Sequence, residues 1–167
     1  STYGIGCDLH NKRAIEKVYD LKKKDRKKPV SVVCHDIPSL SQYAVISNSA
    51  YRILKKHLPG PYTFILPATP LVPKIMLTPR KTVGVRIPDN IIVMEIVEAL
   101  GRPLISTSAT LPDGTILNDP AEIEKTFRGK IDIVIEGDCP AAPSTIVDLT
   151  GEEPELLREG IGEVDWM

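Results

Sequence analysis

The sequence predicts an α/β domain built on a twisted mixed β-sheet with flanking helices. Three observations carry that prediction. Short β-branched runs interleave with stretches of helical period. The interleaving is not strict, because strand-like runs follow one another across short turns near the C-terminus, which argues against a purely doubly wound sheet. The 167 residues are 42% apolar and 26% charged, as in one globular domain with a core. Aromatics are only 5%, so that core must be built mainly from Ile, Val and Leu. A chain of this size buries roughly two thirds of its unfolded surface.

The elements follow in order. Residues 14–23 place Ala14, Ile15, Val18, Tyr19 and Leu21 at near-helical spacing. Residues 30–34 are a β-branched run and predict a buried strand. Residues 49–57 put Ala50, Ile53 and Leu54 on one helical face, and Pro59-Gly60-Pro61 ends the helix. Residues 62–66 are strand by composition. In 82–87, Val83, Val85 and Ile87 alternate with Gly84 and Arg86, which aims Arg86 to the solvent side of a half-buried strand. Asn90 caps a helix over 91–100, with Gly101 just past its end. Residues 103–107 return as a strand. Asp119-Pro120-Ala121-Glu122 opens a helix that Gly129 closes. Strands over 131–135, 144–149 and 155–158 complete the set. No internal repeat or low-complexity linker divides the chain, so one domain over 1–167 is expected. The chain opens at Ser1-Thr2-Tyr3-Gly4 without an initiator Met, so an incomplete N-terminus is expected.

Composition excludes several classes. The formal net charge of −1 is not that of a whole-chain nucleic-acid glove, although Lys22, Lys23, Lys24, Arg26, Lys27 and Lys28 form a local basic cluster. Apolar runs are too short to span a bilayer, so no membrane partner is expected. No signal peptide is read, and Cys7, Cys34 and Cys139 are odd in number and widely spaced, which fits a reduced cytoplasmic protein. Cys7 and His10 have a loosely metal-like spacing without a second ligand pair, so no protein-held metal is expected.

The search for a nucleophile or a phosphate loop returns nothing: no GxGxxG, no GxxxxGK[ST], no GxSxG, and no paired-carboxylate pattern. What remains is hydroxyls and fixed cations. The basic cluster can be a solvated helix end or a phosphate clamp. Arg86 can pair with a surface acid or hold a ligand. Ser106-Thr107-Ser108-Ala109-Thr110 can cap a turn or face a crevice beyond the strand ends. Pro143-Ser144-Thr145 and Leu157-Arg158-Glu159-Gly160 form the fourth group.

Seven segments in order resemble successive signatures of the YrdC-like family of threonylcarbamoyl-AMP synthases. They are Tyr3-Gly4-Ile5-Gly6-Cys7-Asp8, Lys22-x-Lys24 with Lys28-Pro29, Pro59-Gly60-Pro61-Tyr62-Thr63, Val83-x-Val85-Arg86-Ile87-Pro88, Ser106-Thr107-Ser108-Ala109, Pro143-Ser144-Thr145-x-Val147-Asp148 and Leu157-Arg158-Glu159-Gly160. The segments around Lys28–Asp36 and Gly160–Val164 resemble the YciO branch. The family's leader, a strand ending in Pro-Thr-Asp-Thr, falls just before Tyr3, with Ser1 at its last Thr.

The resemblance implies a twisted sheet around a deep basic cavity. It implies a nucleotidyltransferase that turns L-threonine, bicarbonate and ATP, with Mg²⁺ accompanying the nucleotide, into threonylcarbamoyl-AMP and pyrophosphate. The product serves threonylcarbamoyladenosine modification of tRNA, with other proteins of that modification as partners. By the same carry-over, Lys22, Lys24, Arg86 and Ser108 are catalytic. Ser1, Ser31, Arg86, Ser106 and Ser144 hold threonine. Lys22, Lys24, Lys28, Thr82, Ser108 and Arg158 face the nucleotide. Two positions depart from the family pattern: Lys24 stands where Lys-x-Arg has Arg, and Thr110 stands where Ser-x-Asn has Asn. The alternatives are a tRNA- or double-stranded-RNA-binding module and a YciO-type paralogue with weak activity or another substrate.

Overall fold

A computed structural model of the chain describes residues 1–22 and 30–167. The elements run β1 (Gly4–Asp8), α1 (Lys12–Leu21), β2 (Ser31–Val33), α2 (Ile37–Leu40), α3 (Asn48–His57), β3 (Tyr62–Pro67), a 3₁₀ turn at Lys74–Met76, β4 (Thr82–Arg86), α4 (Ile91–Leu100), β5 (Leu104–Ser108), α5 (Pro120–Phe127), β6 (Thr145–Asp148) and β7 (Glu155–Arg158). All seven strands join one sheet in the order β1-β5-β2-β4-β3-β6-β7. Two of its pairings are parallel, β2 with β4 and β3 with β6, and four are antiparallel. The sheet is mixed, as the sequence predicts.

Each α-helix starts at a polar side chain that accepts one of its free first-turn N–H groups. Asn11 accepts from Ala14, Asp36 from Ser39, Ser47 from Ala50, Asn90 from Val93 and Asp119 from Ala121. Gly101 ends α4 in the left-handed region at φ 67°, the stop expected of it.

Alternation along the strands divides the sheet into two unlike faces. Ile5, Val32, Phe64, Leu66, Val83, Val85, Ile105 and Val147 are buried on one face. There they join Leu9, Ile15 and Val18 from α1 and its approach, Leu40 from α2, and Leu54 from α3 in one core. The other face carries Gly4, Ser31, Thr63, Gly84, Arg86, Ser106 and Ser108, with Val33, Ile65 and Leu104 among them. Register aligns Gly6, Ser106, Ser31, Gly84, Ile65 and Asp148 in a row across six strands.

One expectation differs from the structure, and two elements, β1 and α2, are not foreseen in the sequence. The stretch 131–135 is not a strand, and Ile133 and Ile135 are exposed. Its apolar alternation pairs with none of the seven strands of the sheet. A period-two pattern becomes a strand only where a neighbour accepts its hydrogen bonds. Conversely, β1 carries two glycines and lacks strand propensity, yet it pairs with β5 along its whole length. The short α2 is likewise set by its Asp36 cap rather than by any period.

The C-terminal hairpin is fixed by one hydroxyl. Thr145 is fully buried, donates to the Gly162 carbonyl at 2.7 Å, and accepts from the Gly160 and Gly162 amides at 3.1 and 2.9 Å. A Cβ at Gly160 would lie 2.4 Å from the Pro143 carbonyl oxygen, so the segment after β7 can close on β6 only with glycine there. Thr145→Val keeps the shape and strands both amides. It should destabilise the protein by about 2–4 kcal/mol. A thermal melt should show a fall in Tm of roughly 4–16 °C.

Candidate functional site

On the face opposite the core, β3, β4, β6 and β7 bring four polar side chains together. Ile146 pairs with Thr63 on one side and with Arg158 on the other, so Arg158 stands two strands from Thr63. The Arg158 guanidinium donates through Nε and Nη2 to the Ser144 carbonyl, at 3.0 and 2.7 Å, and through Nη2 to the Ser144 hydroxyl at 3.1 Å. The Ser144 hydroxyl lies 3.0 Å from the Thr63 hydroxyl, and both residues are buried. Arg86, at the end of β4, donates through Nη2 to the Ser1 hydroxyl at 2.9 Å. Its Nε is buried and has no hydrogen-bond partner among the described residues.

The alternation of β4 does point Arg86 away from the valines, but its side chain is not on a solvated surface. Burial, and then the nearby charge of Arg158, pull its guanidinium below the ordinary arginine value; burial does the same to Arg158. The ion pairs of the described residues join Lys17 to Asp132, His35 to Glu98, Arg80 to Asp148 and Arg102 to Asp8, and neither Arg86 nor Arg158 takes part. Two neighbouring cations outside the ion pairs of the described residues make this face suited to an anion.

A second group lies at the C-terminal end of β5. Lys22, just past α1, is buried and donates to the Ser108 carbonyl at 2.6 Å, the Thr110 carbonyl at 3.4 Å and the Thr110 hydroxyl. Its ammonium therefore ties α1 to β5. Between the groups, Ser31 and Ser106 stand side by side in register on the same face. The hydroxyls of Ser31, Ser106 and Ser108 have no hydrogen bond among the described residues. Thr82 is on this face, but its hydroxyl is engaged 2.8 Å from that of Thr78. Lys24 and Lys28 lie outside the described residues.

The sequence reading gave Thr63, Thr110 and Thr145 no role. The signal for Thr63 is a β-branched hydroxyl in a mostly apolar strand, on the face opposite Phe64. For Thr110 it was the departure from Asn, which the Lys22 contact makes structural. Asp148, part of a quoted motif, is a scaffold residue: Oδ2 accepts from Arg80 at 3.2 Å, and Oδ1 accepts from the Thr150 amide and hydroxyl.

The chemistry open to this face is binding and charge neutralisation. Burial pushes the Cys7 thiol up to about 11, with Asp8 adding to it, and the Cys34 thiol up to about 12, so neither is a nucleophile at neutral pH. Among the described residues no group of three or more His, Cys, Asp or Glu side chains could hold a metal. No helix among them is long and apolar enough to cross a membrane. Two clefts, of about 340 Å³ beside Pro120, Glu124 and Arg128 and about 230 Å³ beside Ser49, Ile53 and Pro154, include none of the predicted site residues.

Known proteins share the sequence pattern and the fold. The family model of Sua5, YciO and YrdC proteins, described as telomere recombination, matches residues 1–160. The uncharacterized protein YciO of Escherichia coli K12 is 38% identical over 167 residues, covering 98% of this chain and 81% of that protein. The crystal structure of E. coli YciO superposes with a TM-score of 0.93, over 99% of this chain and 82% of the other. A threonylcarbamoyl-AMP synthase of Vibrio vulnificus is 29% identical over 163 residues, 95% of this chain and 87% of the relative. The P. abyssi Sua5 structure complexed with L-threonine has a TM-score of 0.89 at 28% identity, over 96% of this chain and 48% of that one.

An arginine held for a ligand should cost stability in the free protein. Arg86→Met removes a desolvated charge while keeping the stem. It should melt at or above the wild-type temperature in a thermal scan without ligand. A clear fall would make Arg86 a structural residue.

Proposed function

The chain belongs to the Sua5–YciO–YrdC family, and on that premise we propose that it binds ATP and L-threonine and forms threonylcarbamoyl-AMP from them and bicarbonate. The observation that carries this reading is that the half-buried Arg86 and the more exposed Arg158 stand on one face of the sheet, neither of them in an ion pair among the described residues. A carboxylate and a polyphosphate are the ligands such a face lacks.

The chemistry asks little else of the protein. The threonine amine condenses with bicarbonate to a carbamate and water. A carbamate oxygen then attacks the α-phosphate of ATP, and pyrophosphate leaves. Neither step needs a protein nucleophile; both need alignment, neutralised charge and exclusion of water. Arg86 takes the threonine carboxylate through its planar fork, beside the Ser1 and Ser144 hydroxyls. Arg158, oriented by its bonds to Ser144, neutralises phosphate. Ser31, Ser106 and Ser108 offer hydroxyls along the row between the two groups. Lys24 and Lys28 are proposed nucleotide contacts on the resemblance alone, and Thr82 is a wall residue. Lys22 acts at the nucleotide end as a fixed positive charge anchored on β5. Mg²⁺ arrives with ATP as part of the substrate, since magnesium prefers carboxylates and phosphates and this face supplies cations and hydroxyls. The product's use in tRNA modification follows from the same reading.

An RNA-binding role rests on the cluster from Lys22 to Lys28. Lys22 is its one described member, and its buried ammonium is committed to β5. The synthase reading is therefore preferred.

Incubation with Mg·ATP, bicarbonate and each amino acid in turn, followed by pyrophosphate release, tests the proposal. L-Threonine should give the largest stimulation. Arg86→Lys should raise the half-saturating threonine by more than about tenfold, the scale of losing one partner of a buried charged pair, and leave ATP binding in place. Absence of nucleotide binding at millimolar ATP overturns the reading; release with a different amino acid redirects it.

A further inference from the structure

We propose that Thr63 is a positioning residue for this site: it orders the Ser144 hydroxyl so that the pair presents one O–H to an anionic oxygen of the ligand. The inference rests on the functional reading above and adds a residue to it.

The argument is a count of hydrogens. The Ser144 hydroxyl oxygen already accepts from Arg158 Nη2 at 3.1 Å, and it lies 3.0 Å from the Thr63 hydroxyl. The two hydroxyls own two hydrogens, and only one can lie between them. The other has no acceptor among the described residues. Both side chains are buried, at 5% and 4% exposure, so bulk water does not readily serve as that acceptor. A buried donor without an acceptor is costly, and native structures keep such groups where a ligand satisfies them. The orphan Nε of Arg86 is a second such donor on the same face.

An incoming carboxylate sets the order. It accepts the Ser144 proton, Thr63 donates to Ser144, and the Arg158 donation polarises the Ser144 O–H in the same direction. Local structure holds Thr63 to this task. Its methyl lies 3.3 Å from where a Cβ at Gly84 would be, so glycine at 84 leaves space for the methyl. A β-branched side chain is stiff about χ1, so seating the methyl there also directs the hydroxyl toward Ser144.

The test uses the whole chain as wild type, Thr63→Val and Thr63→Ser. Calorimetric titration with L-threonine in the presence of Mg·ATP is paired with thermal melts in sodium acetate and in sodium chloride at equal ionic strength. Thr63→Val keeps the shape and removes one buried donor. It should melt no lower than wild type, bind Mg·ATP as wild type does, lose about tenfold in threonine affinity, and lose the stabilisation by acetate. Thr63→Ser should restore most of both. Wild-type threonine affinity and acetate response in Thr63→Val overturn the inference. So does a lowered melting temperature with unchanged affinity, which marks a structural hydroxyl. If acetate stabilises wild type but not Thr63→Val, and L-threonine binds to neither, the ordered hydroxyl stands and the amino-acid reading falls. If neither acetate nor L-threonine acts on wild type, both fall.

Discussion

A guanidinium drawn out of water is stabilised by an anion, and the half-buried Arg86 has instead a second cation, Arg158, beside it. That constraint organises the structure around the site. Arg86 is carried to the face by the period of β4, and Arg158 by β7, two strands beyond Thr63. Arg158 spends two of its donors on the Ser144 carbonyl, and Arg86 Nε has no partner among the described residues. The two acids that the register puts on this face, Asp8 and Asp148, are taken by Arg102 and Arg80. A half-buried cation outside the ion pairs of the described residues costs the free fold stability, a relation common to functional sites.

The scaffold's task is to hold that face rigid against the apolar one. The buried row of Val32, Val85, Phe64, Ile105 and Val147 fixes the register, and a slip of one residue would exchange the two faces. Thr145 and Gly160 then close the C-terminal segment over β6, which keeps Ser144 and Arg158 in contact. At the far end, Lys22 anchors α1 on the last residues of β5. Thr110 takes part in that anchor through its carbonyl and its hydroxyl.

Much of this was legible in the sequence, because period and caps are local. Asn90, Gly101 and Asp119 marked helix ends at the residues where the structure has them. The β4 alternation separated Arg86 from the valines. What was not legible depended on neighbours. The stretch 131–135 has a strand's pattern and no partner, while β1 has a poor pattern and a full-length partner in β5. The same holds at the site. Serines and arginines stood out as residue types, but burial of Arg86, engagement of Thr82 by Thr78 and commitment of Lys22 to β5 are products of tertiary packing. Thr63 was hidden within a motif whose proline and glycine drew the reading to the turn.

The central claim is that the Arg86–Arg158 face is where an anionic substrate binds. A crystal structure of the chain with L-threonine and a non-hydrolysable Mg·ATP analogue addresses it most directly. The account predicts the threonine carboxylate against Arg86 and the Ser144 hydroxyl, with phosphate oxygens near Arg158. Ligand bound in the cleft beside Glu124 and Arg128, with the Arg86 face empty, would contradict it.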